Sequence, residues 1–560
     1  MLANGSRRRA VGSVAIGAVL ALIASSMVWA SPSTDASAAG GATQTLTVSL
    51  PGPFNGCSYL DAGATPTSNA ILDLVRPSAF LTAVDGSLVG AQGPIASAEL
   101  TSLTPETVVY TISPKEFWSN GQPFDGRDLV AWWLRARGLA SVVSDGYRSI
   151  KSMTLSNHAL TVTAVFAKPY ADWDLLFRDV ESRTSASGCA IANLMRRPSL
   201  GPYRVVSATP QTIVLALNPS WPSDVTRFGR VVLRADASLP SDANAPFASY
   251  SLTVDRSQVE SLGAHPAVLS HIGSASAIEE LVFNSQRPLT RALALREALS
   301  WSLNRQAMIT SLWGLVTFSP SVAASALYAQ GELNYPGSSG QVPSESSTTT
   351  TVPPTSSTTT DLADCSICAI RVLQRAGYVR TALGWVTPNG QPVAIRLVTG
   401  PSALDHATAT LIVRQWAQFG VSTYVVSAKS ETLAATTLAY NNADVALFLR
   451  PTMGVASYSA RSWTGPPYVD SYPSGLRLSS LDKLFKTAMN TFNPVTAGAV
   501  WKSFDQTLLT SFWLRPLFTP PSLIEWTPVL QGVLASESMP GFIDEVPTWS
   551  KVATVLPPTT

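Results

Sequence analysis

Residues 107–138, TVVYTISPKEFWSNGQPFDGRDLVAWWLRARG, constrain the fold of this chain more tightly than any other stretch. Residues 107–112 alternate as a half-buried strand does. Asn120-Gly121 is a tight-turn pair, since both residues tolerate positive φ, and Pro123 follows it. Asp125 is placed to cap a helix, with Asp128 three positions on as an acidic variant of the capping box, and Gly138 closes it. On that helix, expected over 126–137, Leu129, Trp132 and Trp133 share the apolar side, leaving Arg127, Arg135 and Arg137 to solvent. Core packing is the preferred reading for Trp118, Trp132 and Trp133, ahead of ligand stacking.

The tetrapeptide Asn120-Gly121-Gln122-Pro123 recurs at Asn389-Gly390-Gln391-Pro392. The second copy leads into an alternating strand at 393–398 and not into a helix. It is one turn used twice, without a duplicated domain. Elsewhere, residues 43–50 read as a strand, and residues 364–376 as a helix capped by Asp364, with Ile367, Ile370 and Leu373 near one face. A helix over 403–419 stops at Gly420 before a strand at 421–426, and helices follow at 481–489 and 496–509. This alternation indicates an α/β fold, and 560 residues exceed one hydrophobic core. Segment 338–360, SSGQVPSESSTTTTVPPTSSTTT, cannot bury enough surface to offset its ordering entropy and reads as a disordered surface insertion within one lobe.

Lys+Arg 38 against Asp+Glu 36 leaves a net charge of +2, and no basic run occurs beyond Arg7–Arg9. Nucleic acid is therefore not an expected partner. Arg7–Arg9, an uncharged apolar stretch over 10–27, and small residues at Ala30 and Ala36-Ser37-Ala38 have the order of an export signal, assigned to 1–39 with a short spacer. Ser6-Arg7-Arg8 resembles the start of a twin-arginine signal. An uncleaved anchor is the alternative, and a lipid anchor is not supported because no cysteine directly follows the apolar stretch. Export makes Cys57, Cys189, Cys365 and Cys368 disulfide candidates. Of three connectivities, Cys57–Cys189 with Cys365–Cys368 is preferred. A redox role for Cys365-x-x-Cys368 would want a preceding strand, and a zinc site would want more ligands.

Catalytic patterns are sparse. His158, His265, His271 and His406 are scattered, without H-E-x-x-H or G-x-S-x-G. Ser480-Leu481-Asp482-Lys483 fits S-x-x-K of serine acyl-enzymes but lacks S-D-N and K-T-G companions, and Asp482 suits a helix start. Acyl transfer there is a weak alternative. No metal or cofactor set is read from the sequence.

Several segments, in order, resemble the extracellular solute-binding proteins of family 5, the oligopeptide, dipeptide and nickel class serving ABC transporters. Residues 73–90 are similar to that family's early segment. The stretch opening this section resembles its strand, Trp-x-Asn-Gly-x-Pro turn and capped helix, carried by Trp118, Asn120, Gly121, Pro123, Asp125 and Asp128. Gly201-Pro202-Tyr203 with Leu217-Asn218-Pro219 resembles its hairpin. LVFNSQRPLTRALALREALSWSLNRQAMI, residues 281–309, matches its crossing segment at Asn284, Arg296, Asn304 and Arg305. AIRVLQRAGY and the helix ending in QFGV look like second-lobe elements.

The resemblance implies a two-lobed α/β periplasmic-binding-protein fold: lobe I over 40–282 with an extra subdomain at about 85–198, lobe II over 283–510, and a return to lobe I at 511–560. It also implies an exported monomer, periplasmic or in the cell envelope, that takes a peptide or other small molecule to permease subunits without catalysis. A surface sensor or scaffold on the same fold is the alternative. Peptide binders of this family carry an acid shortly after a second-lobe strand, where it meets the peptide amine. Here that strand is 444–449, the acid position falls near Met453, and no Asp or Glu occurs between Asp444 and Asp470. Arg450 at the usual Trp position suits an anionic or neutral solute head, with a salt-bridge role as the alternative. Tyr59, Asn284, Tyr458 and Trp463 complete the candidate ligand contacts.

Overall fold

A computed structural model describes residues 44–551 except 59, 62–63, 84–85, 92, 140–143, 186–187, 220, 222–227, 237, 263, 315–319, 333, 337–363, 430–441, 453, 465–477 and 535–537. The export signal, the 338–360 insertion, Met453 and Tyr59 fall outside the described residues.

The tryptophan helix spans Gly126–Arg137, as its caps require. Asp125 accepts from the Arg127 N–H at 2.9 Å, and Asp128 returns a bond to the Asp125 N–H at 3.2 Å. Asp128 also receives the Arg183 N–H at 3.0 Å and its guanidinium at 3.2 Å, so the cap ties the helix to a distant segment. Trp132 Nε1 donates to Tyr147 Oη at 3.1 Å and Trp133 Nε1 to the Tyr147 carbonyl at 3.0 Å. Both indoles are thus buried with their polar atoms satisfied. One expectation is corrected: Arg135 is not left to solvent. It pairs with Glu181, a buried carboxylate that Arg76 also meets at 3.0 Å, because an uncompensated buried charge costs several kcal/mol.

Beneath the helix lies a four-stranded antiparallel sheet, ordered Ile95–Leu103, Glu106–Ile112, Thr161–Phe166, Ile150–Ser156. The Asn120-Gly121 turn joins none of these strands. It closes a single bridge, Phe117 to Pro123, with Gly121 at φ 80° and its N–H on the Trp118 carbonyl at 2.7 Å. The second copy makes the same turn: Val386 bridges Pro392, Gly390 has φ 78°, and its N–H meets the Thr387 carbonyl at 2.9 Å. Strand Ala394–Thr399 follows the second copy where a helix follows the first. Identical local chemistry gives one turn in two surroundings.

Two larger sheets define the lobes of this α/β fold. The first has seven strands, ordered Leu269–Ser274, Pro521–Trp526, Phe247–Ser251, Thr45–Ser49, Arg230–Arg234, Thr212–Leu217, Tyr203–Ala208. Its last hairpin is pinned by Asn218, which bonds the Pro202 carbonyl through its N–H at 2.9 Å and the Gly201 carbonyl through Nδ2 at 2.9 Å. The second has five, ordered Ser422–Ser427, Ala394–Thr399, Val445–Pro451, Ala277–Phe283, Leu514–Phe518. The chain passes between sheets at residues 275–276 and again at 519–520. The passages lie side by side, with the Ala275 N–H on the Pro520 carbonyl at 2.9 Å. Two adjacent strand-to-strand links of this kind form a hinge.

Helix Ala403–Phe419 ends at Gly420 with φ 95°, the left-handed C-cap its sequence indicates. Helix Ser366–Arg375 departs from expectation, since Cys365 and not Asp364 is its N-cap. Asp364 instead bonds Arg305 Nε at 2.8 Å and Arg515 at 2.7 Å, two guanidiniums whose burial demands a counter-ion. Ile367 is 65% exposed, outside the apolar face assigned to it, while Leu373 is buried.

Both preferred cystines are present, Cys57–Cys189 across 132 positions and Cys365–Cys368 across 3. Chain-entropy reasoning gives the longer loop about 5 kcal/mol and the shorter less than half of that. Urea unfolding followed by tryptophan fluorescence should show Cys57→Ala with Cys189→Ala losing several kcal/mol, and Cys365→Ala with Cys368→Ala much less. Equal losses would contradict the loop-length explanation.

Candidate functional site

The site is built on strand Ala277–Phe283, every residue of which is buried. Glu280 therefore has its carboxylate inside the protein. Ile278 stands opposite Arg450 on Val445–Pro451, so Arg450 lies diagonal to Glu280 on one sheet face and pairs with it at 3.0 Å. The remaining nitrogens of Arg450 donate to Ser459 Oγ at 2.9 Å and the Ala326 carbonyl at 2.5 Å. Ser459 Oγ in turn donates to the Leu327 carbonyl at 2.9 Å. One guanidinium thus fixes helix Ala456–Arg461 and loop 326–327 together. Glu332 secures the same loop, accepting the Ala329 N–H at 2.8 Å, the Gly454 N–H at 3.0 Å and the Thr452 hydroxyl. Burial pushes Glu332 up to about 7 against those three donors.

Helix Ala456–Arg461 forms one wall of a cavity through Ser457, Tyr458 and Arg461. The facing wall comes from Thr82, Leu88, Tyr170, Leu175 and Arg178, with Ser538 and Pro540 at one end. Its empty space is about 680 Å³, open mouth included. The lining thus joins residues of 82–88 and 170–178 to helix Ala456–Arg461 and to residues 538–540.

Arg178 is 5% exposed; it donates to Thr82 Oγ1 at 3.1 Å and lies 3.7 Å from Asp73. Burial raises the Asp73, Asp179 and Asp544 carboxyls around it. Asp544 accepts the Thr82 N–H at 2.9 Å, which holds strand Phe80–Thr82 onto the C-terminal segment. Arg461, 6% exposed, pairs with Asp145, which also pairs with Arg148, and its guanidinium lies 4.6 Å from the Phe485 ring centre. Beside it the Ala171 N–H donates to the Met489 carbonyl at 2.8 Å. Burial raises Asp172, while burial and then the Asp172 charge carry Asp174 to about 6.

Of the candidate contacts, the structure brings Tyr458 into the cavity wall. Arg450 is directed to Glu280 and not to the cavity, because a buried carboxylate requires compensation. Trp463 is 3% exposed within the core. Asn284 shapes the turn after the crossing strand, donating Nδ2 to the Ala443 carbonyl at 2.9 Å and accepting the Gln286 N–H at 2.8 Å. Arg296 lies 3.4 Å over the Trp513 ring and donates to the Thr290, Arg291 and Ser511 carbonyls. Ser480 and Lys483 are exposed on helix Ser479–Met489 and do not line the cavity. Arg178 and Arg461 are the residues that sequence reasoning missed. The available signal for Arg178 was a cation set between Asp174 and Asp179 among the bulky apolar residues of WDLLFRDV; Phe177 and Asp179 at positive φ on either side of it are visible only in the fold.

Residues 94–474 match the family described as bacterial extracellular solute-binding proteins, family 5 Middle. The oligopeptide-binding protein OppA of Mycobacterium tuberculosis is 33% identical over 166 residues, 27% of this chain and 28% of that protein. The shared segment therefore spans well under a third of that relative. Among solved structures, the periplasmic EDTA-binding protein EppA superposes with TM-score 0.78 at 19% identity, covering 92% of this chain and 97% of that one. AppA of Bacillus subtilis, in complex with a nonapeptide, gives TM-score 0.68 at 13% identity, covering 91% and 99%.

The Glu332 shift has a signed consequence. Its carboxyl titrates near 4.5 ordinarily and near 7 here, so the folded state holds the proton more tightly. Stability from this group is present at low pH and is lost as pH rises through about 7. The stability advantage of the wild type over Glu332→Gln should fall by about 2 kcal/mol between pH 5 and pH 8. Denaturation curves at both pH values test this; a constant difference would refute it.

Proposed function

The chain belongs to the bacterial extracellular solute-binding proteins of family 5, and from that premise we propose that it captures a small solute in this cavity and delivers it to an ABC permease in the membrane. The supporting observation is the cavity's construction: residues of 82–88 and 170–178 facing helix Ala456–Arg461, and a hinge of two hydrogen-bonded passages at Ala275 and Pro520. A solute touching both walls binds the closed arrangement more tightly than the open one, and that difference drives closure. Moving the equilibrium from mostly open to mostly closed takes roughly 5.5 kcal/mol of differential affinity. Nothing in this needs bond chemistry.

Relatives of this fold are named for an oligopeptide and for EDTA, so solute size is not fixed by membership. The segment after strand Val445–Pro451 offers no carboxylate before Asp470. A solute recognised through an amine at that place is therefore disfavoured. Residues 1–39 serve export in this reading, and the protein acts as a monomer.

Native mass spectrometry of protein purified without unfolding should show a retained small molecule. Small-angle scattering should show a smaller radius of gyration when the small-molecule fraction of cell extract is restored to stripped protein. Unchanged scattering under every condition would sink the proposal.

A further inference from the structure

Resting on that reading, we infer that Gly146 sets the room the cavity leaves for a solute, because it puts no side chain against Tyr170 and Leu176. Both of these residues line the cavity, and both lie against Gly146. A Cβ at 146 would stand 2.6 Å from Tyr170 Cε1, 2.7 Å from its Cζ and 2.6 Å from Leu176 Cδ2. That is well inside the roughly 3.5 Å at which carbon atoms pack. Gly146 is buried within helix Ser144–Ser149, a position where alanine suits the backbone better than glycine. The glycine is therefore explained by its neighbours and not by its own conformation.

Which side would yield to a methyl group follows from how each is held. Tyr147 Oη accepts Trp132 Nε1 at 3.1 Å and the Phe177 N–H at 2.7 Å, and the Tyr147 carbonyl accepts Trp133 Nε1 at 3.0 Å. The Ser149 carbonyl accepts the Ala167 N–H at 2.8 Å, and Asp145 pairs with Arg461 of the facing wall. Moving this helix would break those bonds and leave buried indole donors unpaired. The Tyr170 and Leu176 side chains adjoin open space instead. A close-packed interior has little room for an added methyl group, so the two side chains are displaced into the cavity. The indoles of helix Gly126–Arg137 thus act on the cavity at one remove, by fixing the backing on which its wall rests.

The test restores the small-molecule fraction of cell extract to the stripped full chain and reads the retained masses by native mass spectrometry, with a thermal melt of each variant. Gly146→Ala should bind the heaviest retained species about tenfold more weakly or worse, the effect of one methyl group in a closed pocket, and keep lighter ones. Leu176→Ala should extend the range to heavier species, and adding Gly146→Ala to it should bring the range back down. Gly126→Ala is the control for general damage. A Cβ there would lie 2.5 Å from Val162 Cγ2 and 2.7 Å from Leu155 Cδ2, neither being among the described lining residues. It should lower the melting temperature and leave the mass range as in the wild type. An unchanged range in Gly146→Ala, or the same contraction in Gly126→Ala, would overturn the inference and leave solute capture standing. Should Gly146→Ala fail to fold, the double variant decides, since a range equal to that of Leu176→Ala overturns the inference equally. A wild type that retains nothing removes both readings.

Discussion

A carboxylate buried in a strand must find a cation, and that requirement organises the site. Glu280 sits inside the crossing strand, and Arg450 is placed diagonally opposite to meet it. Once committed there, the guanidinium has two further nitrogens, which reach Ser459 and the Ala326 carbonyl. The pair is worth little as net stability, since desolvation offsets attraction. Its effect is positional. It fastens the helix carrying Ser457, Tyr458 and Arg461 to the strand that leads out of the passage at residues 275–276.

The chain is poor in charge, with 13% charged residues against about 25% in ordinary soluble domains. Many of those charges are spent indoors. Glu181 gathers Arg76, Arg135 and Arg197, and Asp364 gathers Arg305 and Arg515. Each group links segments far apart in sequence, and breaking one leaves a buried ion without compensation. The tryptophans play the complementary part: Trp118, Trp132, Trp385, Trp416 and Trp549 are almost fully buried and anchor the subdomain and both lobes.

Local rules made much of this legible in advance. Helices Gly126–Arg137 and Ala403–Phe419 have the limits their caps indicate, because capping depends on residues a few positions apart. The misjudged positions were those with long-range partners. Asp364 looked like a cap and became the counter-ion of two arginines. Arg135 looked like a solvent residue and became the partner of Glu181. Arg450 was open between a solute contact and a salt bridge, and it is buried as the partner of Glu280. In each case a charge was assigned to its nearest local use, while a buried ion elsewhere had the stronger claim on it.

By itself, then, the sequence determined the alternating α/β elements, the repeated Asn-Gly turn, the burial of Trp118, Trp132 and Trp133, and the family to which their order belongs. These follow from short-range periodicity, capping and turn chemistry, which the chain carries locally. The tertiary structure alone decided that Arg178 and Arg461, 283 positions apart, face one cavity, and that the two passages at Ala275 and Pro520 lie side by side. Which charges meet is set by strand register and by the cost of leaving any buried ion alone, and neither can be read from neighbours in sequence.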